Sequence, residues 1–350
     1  MSPEFWQSKR VFLTGHTGFK GSWLSLWLLR AGAQVSGYSL APFTNPSLFD
    51  LTELGREIHQ PFGDLRDLDG LKAAMLAAEP EIVLHLGAQA LVQEGYRDPA
   101  GTFASNLMGT VNLLEAVRSC PTVKAVLVVS SDKCYQPHLD GKAHLEDDSL
   151  GGLDPYSASK SCTEIAAHSF RHSYWKDGSV ALASARAGNV VGGGDFSAYR
   201  LVPDLIRAFA EGQPLNLRYP HATRPWQHVL EPIAGYLRLV ECIWENPGLV
   251  GPYNFGPNPG QRHSVLEVVR LLEKDWDRQP GDWPIDPNLV AETILLELDS
   301  SKARQQLGWQ PQLSFEECLQ WTSSWHRRLK AGATARDLCL EQIDAYSARL

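Results

Sequence analysis

Tyr156 and Lys160 stand four residues apart in the run Tyr156-Ser157-Ala158-Ser159-Lys160. That interval is about one helical turn, so phenol and ammonium share a face. An ammonium beside a phenol favours the phenolate and lowers its pKa toward the working range, as a tyrosine base requires. Upstream, Ser131-Asp132-Lys133 supplies a hydroxyl, a carboxylate and a second ammonium in three consecutive residues. A lone Tyr-x-x-x-Lys is most often a solvated helix pair. With the triplet it can deprotonate an alcohol and handle further protons nearby.

A glycine-rich turn gives this chemistry a cofactor. The apolar run Val11-Phe12-Leu13-Thr14 enters Gly15-His16-Thr17-Gly18-Phe19-Lys20-Gly21, and an apolar segment from Ser22 to Leu29 leaves it. A first strand handing over to a helix in this way can hold a dinucleotide pyrophosphate at the helix N-terminus. Gly15 permits the tight turn, Gly18 a close approach of backbone to phosphate, and Gly21 a close helix-to-sheet contact. The spacing is G-x-x-G-x-x-G, looser at its start than the usual dehydrogenase fingerprint, and a packing turn is the alternative. The second strand ends in Ser36-Gly37-Tyr38-Ser39-Leu40, without the acid that takes the ribose of NAD or an Arg for a 2′-phosphate, so NAD over NADP stays open here. Gly63-Asp64-Leu65-Arg66-Asp67 is either a loop at the adenine end or a solvated helix cap. Leu86-Gly87-Ala88-Gln89 offers small residues where a nicotinamide half can lie close to backbone.

The elements that position these residues alternate. Strands are expected at Gln34 to Tyr38, weakly near Ile58, at Ile82 to Leu86, Val123 to Ser130 and Val180 to Ala187. Helices are expected from Ser22 to about Ala31, at Leu68 to Ala78, Phe103 to Arg118 and Tyr156 to Tyr174. This is the pattern of a Rossmann-type, doubly wound parallel sheet, and Ser131 follows the carboxyl end of a strand, where such sheets place ligands. Later come a helix from Arg200-Leu201, a short strand at Leu215 to Leu217, helices at Ile233 to Glu245, Val265 to Trp276 and Phe315 to Leu329, and a tail, Ala331 to Leu350, with room for one more. The expected division is an NAD-binding domain over 1–187, to which later segments can return, and a smaller, discontinuous substrate lobe mainly over 188–350. In that lobe Arg200, Arg207, Arg218 and Arg224 are candidates for a diphosphate, Arg224 favoured by neighbouring Trp226, although a lone Arg is more often in a surface salt bridge.

Composition sets the bounds. A chain of 350 residues, 43% hydrophobic and 21% charged, buries a substantial core. A formal charge of -8 without a long basic stripe argues against bulk nucleic-acid binding. Cys120, Cys134, Cys162, Cys242, Cys318 and Cys339 lack paired metal-ligand spacing and are expected as reduced structural thiols, with no metal. With no signal-peptide layout and no membrane-length apolar run, a cytoplasmic protein is expected.

From Arg10 to Leu329 the chain resembles the extended short-chain dehydrogenase/reductase family, and within it the nucleotide-sugar 4,6-dehydratases of the CDP-glucose branch. The motifs that carry this are Gly15 through Leu24, Ser131-Asp132-Lys133-Cys134-Tyr135, Asp154 through Lys160, Arg186 through Asp195, and Arg224-Pro225-Trp226-Gln227-His228-Val229. Ser131 replaces the family's Thr and keeps the hydroxyl. Lys133 stands where sister dehydratases carry a Glu, a feature of this branch. Gly87 replaces a common Ala and Phe196 a common Trp.

The resemblance implies tightly held NAD, recycled in each turnover, on Gly15, Thr17, Gly18, Phe19, Lys20, Gly21, Asp64, Leu65, Leu86, Gly87, Ala88, Gln89, Asn106, Tyr156 and Lys160. It implies CDP-glucose as substrate on Asn189, Arg200, Leu201, Arg218, Arg224 and His228. A homodimer is implied, built on the helices around Phe103 to Arg118 and Tyr156 to Tyr174. Tyr156, with Ser131 and Lys160, then oxidises C4; Asp132 and Lys133 serve loss of water across C5 and C6, with Lys133 assisting proton transfer. The alternatives are a dehydratase or epimerase acting on another nucleotide sugar, and a non-catalytic NAD-binding protein on the same scaffold.

Overall fold

The computed structural model describes residues 2–138, 141–212, 217, 219–258, 260–279 and 296–350. Its centre is a parallel sheet of β1 (Arg10–Thr14), β2 (Gln34–Tyr38), β3 (Ile82–His85), β4 (Ala125–Val129), β5 (Ala181–Arg186) and a sixth strand, Pro252–Asn254. The spatial order is β2-β1-β3-β4-β5 and then Pro252–Asn254, so the chain starts in the middle and winds outward both ways. Every pairing within this sheet is parallel, with Val11 opposite Val35 on one side and Ile82 on the other.

Successive strand residues point to opposite faces, so near-continuous apolar strands demand cover on both. Phe12, Val83, Val126, Val128 and Leu182 pack with Leu71, Met75, Leu113, Leu114 and Val117 from helices Leu68–Ala78 and Gly109–Arg118. Val11, Leu13, Leu84 and Leu127 share the other core with Trp23, Leu24 and Trp27 of helix Phe19–Arg30, and with Ile233, Leu237 and Val240 of helix Leu230–Glu245. A separate cluster joins Leu205, Ile206 and Phe209 of helix Leu201–Glu211 to Val268, Leu272, Phe315 and Leu319.

Several expectations change. The strand near Ile58 shrinks to isolated bridges, Ser36 with His59 and Ser39 with Phe62, so no ladder forms there. Pro252–Asn254, for which no strand was expected, completes the sheet beside β5. The helix expected from Phe103 contains a π-helical stretch at Ala104–Met108 before Gly109–Arg118. The tail forms Ala335–Ser347, whose Leu338 and Ile343 enter the core around Trp23, Leu24 and Trp27. Residues 215 and 216 of the expected short strand lie outside the described residues. All six cysteines are free, and five are buried. Among the described residues no helix is long and apolar enough to cross a membrane.

Candidate active site

The nucleotide end begins at Gly15. Its φ is +75°, and a Cβ there would stand 2.6 Å from Gly87 N, so both turn and neighbour require glycine. A Cβ on Gly21 would come within 2.0 Å of the Gly15 carbonyl oxygen; its close contact is with the turn itself rather than with the sheet. Gly18 caps helix Phe19–Arg30 without a side-chain bond, leaving the first helical N–H groups for an anion. This cradle fits a dinucleotide pyrophosphate.

Around it, Thr17 Oγ1 bonds Ser39 Oγ at 2.8 Å and donates to Leu40 O at 2.9 Å, so hydroxyls close the end of β2 where an acid is usual. Asp64 receives the Arg66 guanidinium, which holds its carboxyl below the ordinary range. The helix cap in this loop is Asp67, which accepts from Gly70 N at 3.1 Å. Leu65 is buried under Gly87. Leu86 and Ala88 flank Gly87 in the loop that follows β3, half-buried. Asn106 is committed to the protein: Oδ1 accepts from Gln89 N at 2.7 Å, and Nδ2 donates to Gln89 O at 3.0 Å and Ser159 Oγ at 2.8 Å. It positions the loop after β3 against the helix that carries Tyr156.

Beyond this end lies a cavity of about 520 Å³ whose lining includes Phe19, Lys20, Ser131, Asp132, Lys133 and Tyr156 on one side and Asn189, Arg200, Leu201 and Arg224 on the other. Ser131 caps the short turn Asp132–Cys134, accepting from Lys133 N at 3.2 Å and donating to Asp132 Oδ1 at 2.9 Å. Asn189 Nδ2 approaches Asp132 Oδ2 at 3.4 Å. A Cβ on Gly188 would fall 1.7 Å from that oxygen, so Gly188 leaves the carboxylate its room.

Tyr156 and Lys160 lie on Pro155–Tyr174, begun by Asp154, which accepts from Ser157 N at 3.0 Å. Burial pushes the Tyr156 phenol up to about 12, against a hydrogen bond from Ser131 that favours the phenolate. The lowering expected from Lys160 is not seen: the groups that favour the phenolate are Ser131 and Arg200, and desolvation outweighs them. Burial also brings the Lys160 ammonium down to about 8, and its Nζ donates to Val129 O at 3.2 Å, at the end of β4. One turn on, buried Glu164 pairs with Arg186 at 2.8 Å and accepts from Ser130 and Ser184. The ion pair fastens this helix to β5, and the Ser130 bond fastens it to the end of β4.

On the facing side Arg200 is paired with Asp195 at 2.9 Å, and Arg224 Nη1 donates to Thr223 O at 2.9 Å. Arg207 turns away, to Asp204 and to Phe196 O at 3.1 Å. Arg218 lies outside the described residues. His228 is a packing residue, not a cavity residue: fully buried, its ring meets Trp23 at 6.0 Å and Trp321 at 5.7 Å, and burial drives its pKa down to about 3. The sequence reading missed Gln227, whose Nε2 holds Gly188 O at 3.0 Å and Phe255 O at 2.9 Å. Lys20, expected at the cofactor, also borders this cavity.

The GDP-mannose 4,6 dehydratase family matches residues 12–322. The chain is 43% identical over 330 residues to the CDP-glucose 4,6-dehydratase of Salmonella typhimurium, covering 92% of each chain. Its fold is similar to the UDP-glucose 4-epimerase of Thermotoga maritima (TM-score 0.80, 22% identity, 91% of this chain and 99% of that one). It is also similar to the dTDP-glucose 4,6-dehydratase of Bacillus anthracis, solved with NAD (TM-score 0.78, 20% identity, 93% and 98%).

Proposed function

The chain belongs to the GDP-mannose 4,6 dehydratase family, and from that premise we propose that it converts CDP-D-glucose to CDP-4-keto-6-deoxy-D-glucose. The observation that carries this is one cavity holding both Tyr156 with Ser131 and Asp132 with Lys133. The first pair suffices for oxidation at C4. An epimerase needs no acid for a departing C6 hydroxyl, whereas a dehydratase does.

NAD, when bound, supplies the hydride acceptor at C4 and the donor at C6, and leaves the turnover unchanged. Residues 1–187 with the returning C-terminal segments hold it, and the lobe drawn mainly from 188–350 holds the nucleotide sugar. Tyr156, as the phenolate that a hydrogen bond from Ser131 favours, takes the proton from the sugar O4 and becomes the neutral phenol. Lys160, tied to Val129 O, contributes charge without moving. Asp132 gives its proton to the C6 hydroxyl as water leaves, and Lys133 assists the proton traffic at C5. Arg200 and Arg224 face the diphosphate, since guanidinium donors match phosphate oxygens. Exposed Met108 and Ile165 lie on the two helices expected to pair in a homodimer.

The test is the mass of the sugar nucleotide after incubation with CDP-glucose and NAD in ordinary and deuterated water. Loss of one water with one solvent deuterium at C5 is the expected result. Unchanged CDP-glucose beside a dehydrated dTDP, GDP or UDP sugar moves the substrate and keeps the chemistry.

A further inference from the structure

We propose that Lys20 is a catalytic residue of the elimination, the amine that takes the C5 proton of the 4-keto sugar and returns one there after reduction at C6; this rests on the dehydratase reading above. Lys20 borders the same cavity as Asp132, Lys133 and Tyr156. It is the second residue of helix Phe19–Arg30, where the macrodipole disfavours a cation. Arg200 and Lys160 repel its charge, and Asp132 attracts it. Among the described residues no carbonyl or carboxylate ties it down; its chain passes the Tyr236 ring, with Nζ 6.0 Å from the centroid. Lys160, by contrast, is bonded to Val129 O. A half-buried cation kept where the helix and two neighbouring cations oppose it, with Asp132 alone among the described groups attracting it, marks a candidate working residue.

The surroundings suit a base. Enclosure and the facing Arg200 and Lys160 bring the Lys20 ammonium down to about 8, with Asp132 pulling the other way. A fraction is therefore free amine near neutral pH. That lone pair takes the C5 hydrogen as a proton; the C–H electrons become the C5–C6 double bond; the C6–O bond breaks toward oxygen, which receives the Asp132 proton and leaves as water. After hydride reaches C6, the Lys20 ammonium reprotonates C5 and the amine is restored. Lys133, on the turn after β4, then acts on Asp132 and the leaving hydroxyl rather than as the sole base.

The experiment has an arm that needs neither cofactor nor substrate. Competitive acetylation of NAD-free protein across pH, read by peptide mass, should show Lys20 labelling with a midpoint near 8; a midpoint near the ordinary lysine value of about 10.4 overturns the proposal. Where the unaltered protein dehydrates CDP-glucose, Lys20→Met should lower kcat at saturating NAD by about 100-fold or more, abolish deuterium entry at C5 and spare reduction of bound cofactor. Lys20→Arg, which keeps the charge but holds its proton, should be equally impaired. Activity in the Arg variant, or recovery of the Met variant at high NAD, makes Lys20 a charge or cofactor-binding residue and overturns the assignment. If the unaltered protein leaves CDP-glucose intact, the substrate reading fails, and the labelling result still decides whether Lys20 is a poised base.

Discussion

The two walls of the cavity are built by different means. Behind Tyr156 and Lys160 stand regular elements joined by buried polar bonds: Lys160 to Val129 O, Asn106 to Ser159, and Glu164 to Arg186. The opposite wall, from Gly188 to Trp226, rests on two-residue strands, Val190–Val191 beside Gln227–His228 and Thr223–Arg224 beside His263–Ser264. Its guanidiniums are partly exposed, Arg200 at 33%. In the proposed reaction proton transfer tolerates little displacement, which suits groups on strand ends and a long helix, whereas a diphosphate can be gripped by long, charged side chains on short elements. The walls should therefore fail differently.

The largest effect belongs to the rigid wall. Tyr156→Phe removes the base while keeping the ring, and should lower kcat by about 10²–10⁴-fold with little change in melting temperature. Steady-state rates beside thermal melts check this; a variant that melts early would mean that the hydroxyl holds the wall together rather than doing chemistry. Glu164→Ala strikes the scaffold instead. It strands the buried Arg186 cation, and such losses cost about 3–5 kcal/mol, visible as a lower urea midpoint. A neutral result would show that Tyr135 Oη and Glu146 O, the other partners of Arg186, satisfy its charge without the carboxylate.

A third test concerns what anchors the loop wall from behind. Glu231, just after His228, is 2% exposed and accepts from Tyr346 Oη at 2.5 Å, Gln312 N at 2.9 Å and Leu313 N at 2.7 Å. Burial raises its carboxyl from 4.5 to about 7. The folded state thus binds this proton more tightly than the unfolded chain. Its contribution is fully present below about pH 4.5 and is lost as pH rises through about 7, a span of about 3 kcal/mol. Glu231→Gln removes the titration, so the stability difference between the two proteins should change between pH 5 and pH 8 in favour of the variant. Parallel pH curves would mean that the carboxyl is already ionised in the folded protein at pH 5.

Much of the rigid wall was legible, because its signals are local. The Gly15 turn, the Ser131 triplet and the Tyr156 to Lys160 interval each lie within a few residues, and the strands are apolar throughout. The loop wall was not. Arg200, Arg207 and Arg224 look alike in sequence, and only the fold turns Arg207 toward Asp204 while leaving the other two on the cavity. His228 follows Gln227 in a polar-looking motif, yet residues nearly a hundred and two hundred positions away, Trp321 and Trp23, make it part of the core. The phenol of Tyr156 misled in another way: its helix neighbour was visible, but the burial that raises its pKa is a tertiary property.

The smallest effect should come from the loop wall. Arg224 lines the cavity and donates from its guanidinium to Thr223 O, one residue away. If it serves the diphosphate, Arg224→Ala should raise KM for CDP-glucose by about 10- to 100-fold, the range of one or two charge-assisted hydrogen bonds, while kcat stays within about threefold. The variant should also bind CDP and cytidine with more similar affinities, since the lost contact is to phosphate, and lose part of the salt dependence of binding. A fall in kcat as large as the rise in KM would join the two walls: it would mean that the diphosphate grip sets the position of C4 before Tyr156, and that recognition here is part of the chemistry.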